Sequence, residues 1–284
     1  MPRVSELRRT FKVMFGRWVV VVSTVIILLL IIVAIFAPFL APYDPNATHL
    51  SQVLQSPGKQ YLLGTDDLGR DILSRLVYGS RISMVVGIVA VSFAGVVGIG
   101  LGLTAGFYGG WVQSIIMRII DTLMALPPIV LIMAIAAVLG AGLFNVVIAI
   151  GVGLTPTYAR LMCGQILTLK ENDYVLAARS IGASSPRIML YHLLPNAFPA
   201  MLVLITLNMG TAILMEATVS FLGIGIAPPT ATWGSMISTG YAYVILRPLL
   251  SFVPGVTILL VVLAFNMVGD GLRDALDPRL RGTL

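Results

Sequence analysis

Apolar residues in this chain run together in long blocks separated by short polar stretches, without the period of a strand or of a surface helix. A helix crossing about 30 Å of hydrocarbon needs about 20 mostly apolar residues, and six blocks reach that length. The first is 18–39, WVVVVSTVIILLLIIVAIFAPF. The second, about 82–107, is glycine-rich. Its Gly98, Gly102 and Gly106 stand at i, i+4 and i+8, a spacing that lets two helices approach closely in lipid. The third covers about 115–139 and is interrupted by Pro127-Pro128, and the fourth, about 146–169, is broken by Pro156. The fifth and sixth cover about 198–226 and 249–268. The pattern predicts an all-α integral membrane protein with six transmembrane helices and both termini on one side.

Composition agrees. Of 284 residues, 58% are hydrophobic and 11% charged, whereas about a quarter of a soluble domain is charged. The net charge of +6 is spread along the chain and reads as topology rather than as a nucleic-acid surface. Thirteen of the eighteen Lys and Arg fall on the side shared by the termini, counting Arg118 and Arg160 there. The positive-inside rule therefore places both termini in the cytoplasm. The basic start resembles a signal peptide, but the apolar run that follows is too long for one, so an uncleaved anchor is expected. Polar residues 41–81 then lie outside, and 170–195 becomes the longest cytoplasmic loop.

That loop contains YVLAARSIGASSPRIMLYHLLPN, residues 174–196. Asp173 is placed to cap a short helix, Gly182 suits the left-handed position that ends one, and Ser185-Pro186 suits the start of a second. The expected form is helix, glycine turn, helix, then re-entry at Pro195. A specified turn with a bare surface at Ala177, Ala178 and Gly182 favours a partner's groove closing on the helix; a solvated connector is the alternative.

Little else carries chemistry. There is no GxxxxGK[ST] phosphate loop, so ATP hydrolysis is not expected in this chain. The single cysteine, Cys163, lies in an apolar stretch, and His49 and His192 are read as solvated or locally bonded. Glu216 falls inside the fifth block, where a carboxylate either lines the translocation path or packs between helices. Arg118 and Asp121, three apart, are expected to pair along one helix face. In the outer segment, Thr65 or Asp66 is expected to cap an interfacial helix with Leu68, Ile72 and Leu76 on its apolar stripe. The loop from Pro228-Pro229 to Trp233 is placed outside.

The 174–196 stretch resembles the cytoplasmic signature of bacterial ABC importer permeases: Glu-Ala-Ala, three residues, Gly, nine residues, Ile, one residue, Leu-Pro. Ala177, Ala178, Gly182, Leu194 and Pro195 fit in register, while Leu176 replaces the Glu and His192 the Ile. LGTDDLGRDILSRLVYGSRIS (63–83), EATVSFLGIGIAPPTATWG (216–234) and LAFNMVGDGLRDALDPRL (263–280) resemble hallmark stretches of the dipeptide/oligopeptide/nickel subfamily, on the side of its second permease subunits. The resemblance implies a type I ABC importer permease fold. It divides the chain into 1–81 (N-terminus, first helix and extracytoplasmic segment), a core at 82–271 with a coupling hairpin at 170–195, and a cytoplasmic tail at 272–284. It also implies a heteromeric complex in a bacterial cytoplasmic (inner) membrane. That complex holds a second, homologous permease, two cytoplasmic ABC ATPase domains that bind ATP and Mg, and an extracytoplasmic substrate-binding protein; this chain itself holds no cofactor. Ala177, Ala178 and Gly182 would contact the ATPase closely, with Arg179 and Arg187 at the rim. The implied cargo is di- or oligopeptides, with glutathione or nickel and other metal complexes as alternatives. Outside the family, an ion-coupled secondary transporter is the competing reading.

Overall fold

The computed structural model describes residues 13–276, and all the regular structure among them is helical. Helix α1, Trp18–Ile35, is followed by the short α2, Ala37–Leu40. Helix α3 is Ile72–Tyr108. Helices α4, Gly110–Met124, and α5, Pro128–Leu139, meet at an 89° bend. Helix α6 is Leu143–Leu169, α7 is Asp173–Ser180, and α8 is the continuous run Ser185–Phe221. Helix α9, Trp233–Tyr241, is short, and α10 is Leu249–Leu276. Among the described residues five helices are long and apolar enough to cross a membrane, and six if the bent α4–α5 pair is one span.

The glycine stripe performs the close approach that its spacing predicts. A Cβ on Gly98 would stand 2.5 Å from Tyr158 Cβ, and one on Gly106 would stand 2.7 Å from Ile166 Cβ. Helices α3 and α6 therefore lie backbone against backbone. Helix α1 packs on α10, where a Cβ on Gly271 would meet Val20 at 2.8 Å, and Arg17 Nη1 reaches Asp274 Oδ2 at 2.6 Å. The other face of α1 exposes Val21, Val25, Leu28 and Ile32, a purely aliphatic surface suited to lipid.

Four expectations change. First, no separate interfacial helix starts at Thr65 or Asp66: Asp71 caps α3 by accepting the Ser74 amide at 2.7 Å, and those turns run straight on into the second span. Thr65 and Asp66 instead fold the outer segment onto itself. Thr65 Oγ1 donates to the Gln52 carbonyl, and Asp66 accepts from the Arg70 amide at 2.9 Å and from Arg70 Nε at 2.7 Å. Second, the two proline interruptions differ: Pro127-Pro128 breaks the third block as expected, turning the chain through 89°. Pro156, by contrast, is carried inside α6 without a break. Third, Asp121 pairs with Arg160 of α6 rather than with Arg118. Both arginines lie within helices rather than in a cytoplasmic loop. Fourth, the start of the proposed tail is helical, because α10 continues to Leu276; Asp277, Arg279 and Arg281 lie outside the described residues.

Candidate functional site: the 173–193 hairpin

The hairpin forms at 173–193 with the predicted turn. Helix α7 ends in a Schellman arrangement: the Ala183 amide donates to the Ala178 carbonyl at 3.0 Å and the Gly182 amide to the Arg179 carbonyl at 2.9 Å. Gly182 takes φ +77°, and a Cβ there would meet no neighbouring atom, so the glycine serves the backbone angle and leaves the surface bare. The starts are displaced by one residue from expectation. Asn172, not Asp173, holds the cap position of α7, and Asp173 stands in the first turn, where its charge favours the helix dipole. Ser184, not Ser185, precedes the second helix, with Pro186 in its first turn.

No break occurs at Pro195. The helix entered at Ser185 passes through a π turn at Ile188–Leu193 and runs on as the fifth span. Leu194 is half-buried and Pro195 exposed within that continuous rod, so a load applied to the hairpin acts directly on a membrane helix.

The two alanines of the signature do different things. Ala177 faces solvent, but Ala178 is only 5% exposed, which corrects the expectation that both form the bare patch. Ala178 and Val175 point inward, into a cluster with Leu103 of α3, Met162 and Ile166 of α6, and Ile188, Leu193 and Met201 of α8. Close packing of this kind transmits displacement. The outward surface consists of Tyr174, Leu176, Ala177 and Gly182, capped by Ile181, which is 85% exposed. Arg187 is exposed beside it, while the Arg179 guanidinium carbon lies 5.5 Å from the centroid of the Phe107 ring at the end of α3. Tyr174, Leu176 and Ile181 were not singled out from the sequence. The signal was present: three large apolar residues on a short helix and turn otherwise lined with small or charged ones.

Glu216, the other singled-out residue, is 0% exposed. Ser220 Oγ donates to its Oε1 at 2.8 Å. The carboxylate is thus buried within this chain, with its Oε2 lacking a hydrogen-bond partner among the described residues. Neighbouring contacts lock α9 in place: Trp233 Nε1 donates to the Leu76 carbonyl at 3.0 Å. Outside, a cavity of about 710 Å³ is lined by Tyr43, Asp44, Tyr78 and Arg81 together with Thr230 and Ala231.

Residues 98–282 match the family model of the binding-protein-dependent transport system inner membrane component, and residues 5–57 match the N-terminal TM domain of oligopeptide transport permease C. The dipeptide transport system permease protein DppC of Alkalihalophilus pseudofirmus is 43% identical over 98% of this chain and 91% of its own length. The glutathione transport system permease protein GsiD of Escherichia coli O6:K15:H31 is 44% identical over 88% of this chain and 83% of its own. The probable D,D-dipeptide transport system permease protein DdpC of Escherichia coli K12 is 43% identical over 94% of this chain and 90% of its own. Among solved structures, a chain of the MetNI methionine ABC transporter in an inward facing conformation superposes with TM-score 0.58 at 20% identity, covering 72% of this chain and 98% of that one. That likeness establishes a shared fold. Taken with the two family models and the near-complete alignments, it makes this chain a multi-pass transport permease, a member of the family of binding-protein-dependent transport system inner membrane components.

Proposed function

We propose that the chain is one permease subunit of an ATP-driven importer that carries di- or oligopeptides into the cytoplasm by alternating access. Two of the three relatives named above carry dipeptide transport in their names, which favours peptides; glutathione, itself a peptide, is the alternative. The observation that carries the energy-coupling part is the outward surface of the hairpin. Ile181, Leu176 and Tyr174 project around a bare Ala177–Gly182 floor on a footing packed into three membrane helices. A cytoplasmic ATPase that seats this surface gains apolar burial and pulls on α8. ATP binding then favours one packing of the helices through its differential affinity for the two states.

In this reading Ala177 and Gly182 take the close contact, Arg187 meets the rim, and Ala178, Arg179, Leu194 and Pro195 hold the hairpin to the rod. A second permease completes the path, a binding protein delivers cargo from outside, ATP and Mg bind the ATPases, and both termini face the cytoplasm of an inner membrane. Uptake of a radiolabelled dipeptide into right-side-out vesicles loaded with ATP, or into proteoliposomes holding the whole complex with ATP inside and the binding protein outside, tests this. Transport that requires ATP and the binding protein supports it; transport that survives without ATP and follows an ion gradient refutes it.

A further inference from the structure

Asp121 and Arg160 form an ion pair between α4 and α6, yet their side chains are 59% and 52% exposed. The cytoplasmic ends of α3 and α6 are tied together where Lys170 Nζ donates to the Gly106 carbonyl at 3.2 Å. From that level Arg160 lies nine residues inside α6, which ends at Leu169, or about 14 Å at about 1.5 Å per residue. Asp121 lies eleven residues beyond the start of α4 at Gly110, or about 16 Å by the same rise. Both charges therefore stand near the middle of a hydrocarbon layer of about 30 Å. Charged groups at that depth face a bundle interior or water rather than lipid. On α6 the neighbours fit water, whereas α4 exposes Trp111, Ile115 and Ile119 beside its polar line. The exposed line of α6 is Thr157, Arg160, Gly164 and Thr168, and on α4 Ser114 and Arg118 stand below Asp121. The exposed face of α1, by contrast, is apolar throughout. Arg118 has no ion-pair partner among the described residues, and with Ser114 and the apolar Trp111, Ile115 and Ile119 it lines an open hollow of about 610 Å³. Two arginines and one aspartate leave this face with one net positive charge.

We infer that the Asp121–Arg160 pair, with Arg118 beside it, lines the aqueous translocation path at mid-membrane and offers a way-point for the carboxylate of a passing substrate. The inference deepens the importer reading and rests on it for the direction of passage. Cys163 is buried, so the native chain gives a silent background. Single cysteines at Thr157 and at Gly164, where an added Cβ meets open space, are placed in the whole complex in membrane vesicles. They are labelled with the anionic reagent MTSES and the cationic reagent MTSET, with Leu28→Cys as the lipid-facing comparison. Both positions are expected to react at least about tenfold faster than Leu28→Cys, because polar reagents do not enter lipid. Relative to free cysteine, MTSES should be favoured over MTSET by about threefold, the effect of one nearby unit charge in water. Arg118→Gln or Arg160→Gln should abolish that preference. Rates no faster than at Leu28→Cys overturn the path, since the face is then covered by the second permease or by lipid. Equal rates with the two reagents overturn the carboxylate way-point. ATP-driven uptake in the same vesicles reads the importer assignment separately: labelling without it keeps the path and discards the motor.

Discussion

The guanidinium of Arg179 rests over the ring of Phe107, 5.5 Å from its centroid, and so joins the 173–193 hairpin to the last turn of α3. With Val175 and Ala178 buried beneath the same helix, α7 is held to α3, α6 and α8 at once. A partner that moves α7 therefore moves the bundle.

Phe107→Leu keeps an apolar side chain there but removes the negative face that attracts the cation. The seating of α7 should weaken by about 0.5–1 kcal/mol. Faster hydrogen exchange at the amides of 175–181, with the fold otherwise unchanged, is the expected result; unchanged exchange would deny the contact any anchoring role.

Gly102→Leu should break the α3–α6 contact, because a Cβ at Gly102 already stands 2.7 Å from Met162 Cβ. Overpacking of this kind costs about 1–3 kcal/mol, read as a lower melting temperature in detergent. Gly100→Leu, at a position with open space around it, is the control and should leave the melting temperature nearly unchanged.

In the outer segment Asp66 Oδ2 accepts from Arg70 Nε and faces Arg75 Nε at 3.6 Å, all three side chains being buried. Asp66→Asn removes the nearest counter-charge of two buried cations and leaves Arg70 only its 3.6 Å contact with Asp67, at a cost of up to about 3–5 kcal/mol. If 41–71 faces outward, external protease acting on intact cells should then cleave it faster than in the native chain.

Asp67 beside it behaves in the opposite sense. Burial first, and the Asp66 charge second, raise its carboxyl above the ordinary value. A raised folded-state pKa on an acid means that the folded state binds more protons than the unfolded state between the two values. Its contribution is therefore complete below the ordinary carboxylate range and is lost as pH rises through the raised value. Asp67→Asn should remove that part of the pH dependence and raise stability at neutral pH, as measured by melting temperature across a pH series.

Local spacing made part of this account legible in the sequence. The Gly98–Gly102–Gly106 stripe and the left-handed Gly182 are specified by residues a few positions apart, and both stand where expected. Long-range choices were not legible. Asp121 has a basic neighbour at Arg118, but its partner Arg160 is brought in by the packing of α6. Pro127-Pro128 announces a break without giving its direction, which neighbouring helices set. Asp66, Asp67 and Asp71 are equally suited to cap a helix, and the fold of 41–71 onto itself selects Asp71. Ala177 and Ala178 are chemically alike; only the rotation of α7, fixed by Val175 finding the α3–α6–α8 cluster, decides which is buried.

The account stands most directly on the division between the outward and inward faces of α7. The complex is to be purified from its native membrane in mild detergent through a tag on this chain, as native, Ile181→Asp and Ala178→Ser forms. The native chain should bring down a second permease and the ATPases. Ile181→Asp should keep the second permease and lose the ATPases, and Ala178→Ser, buried and small, should keep both. ATPases retained by Ile181→Asp, or absent from the native complex, would contradict the hairpin as the point where ATP hydrolysis is coupled to transport.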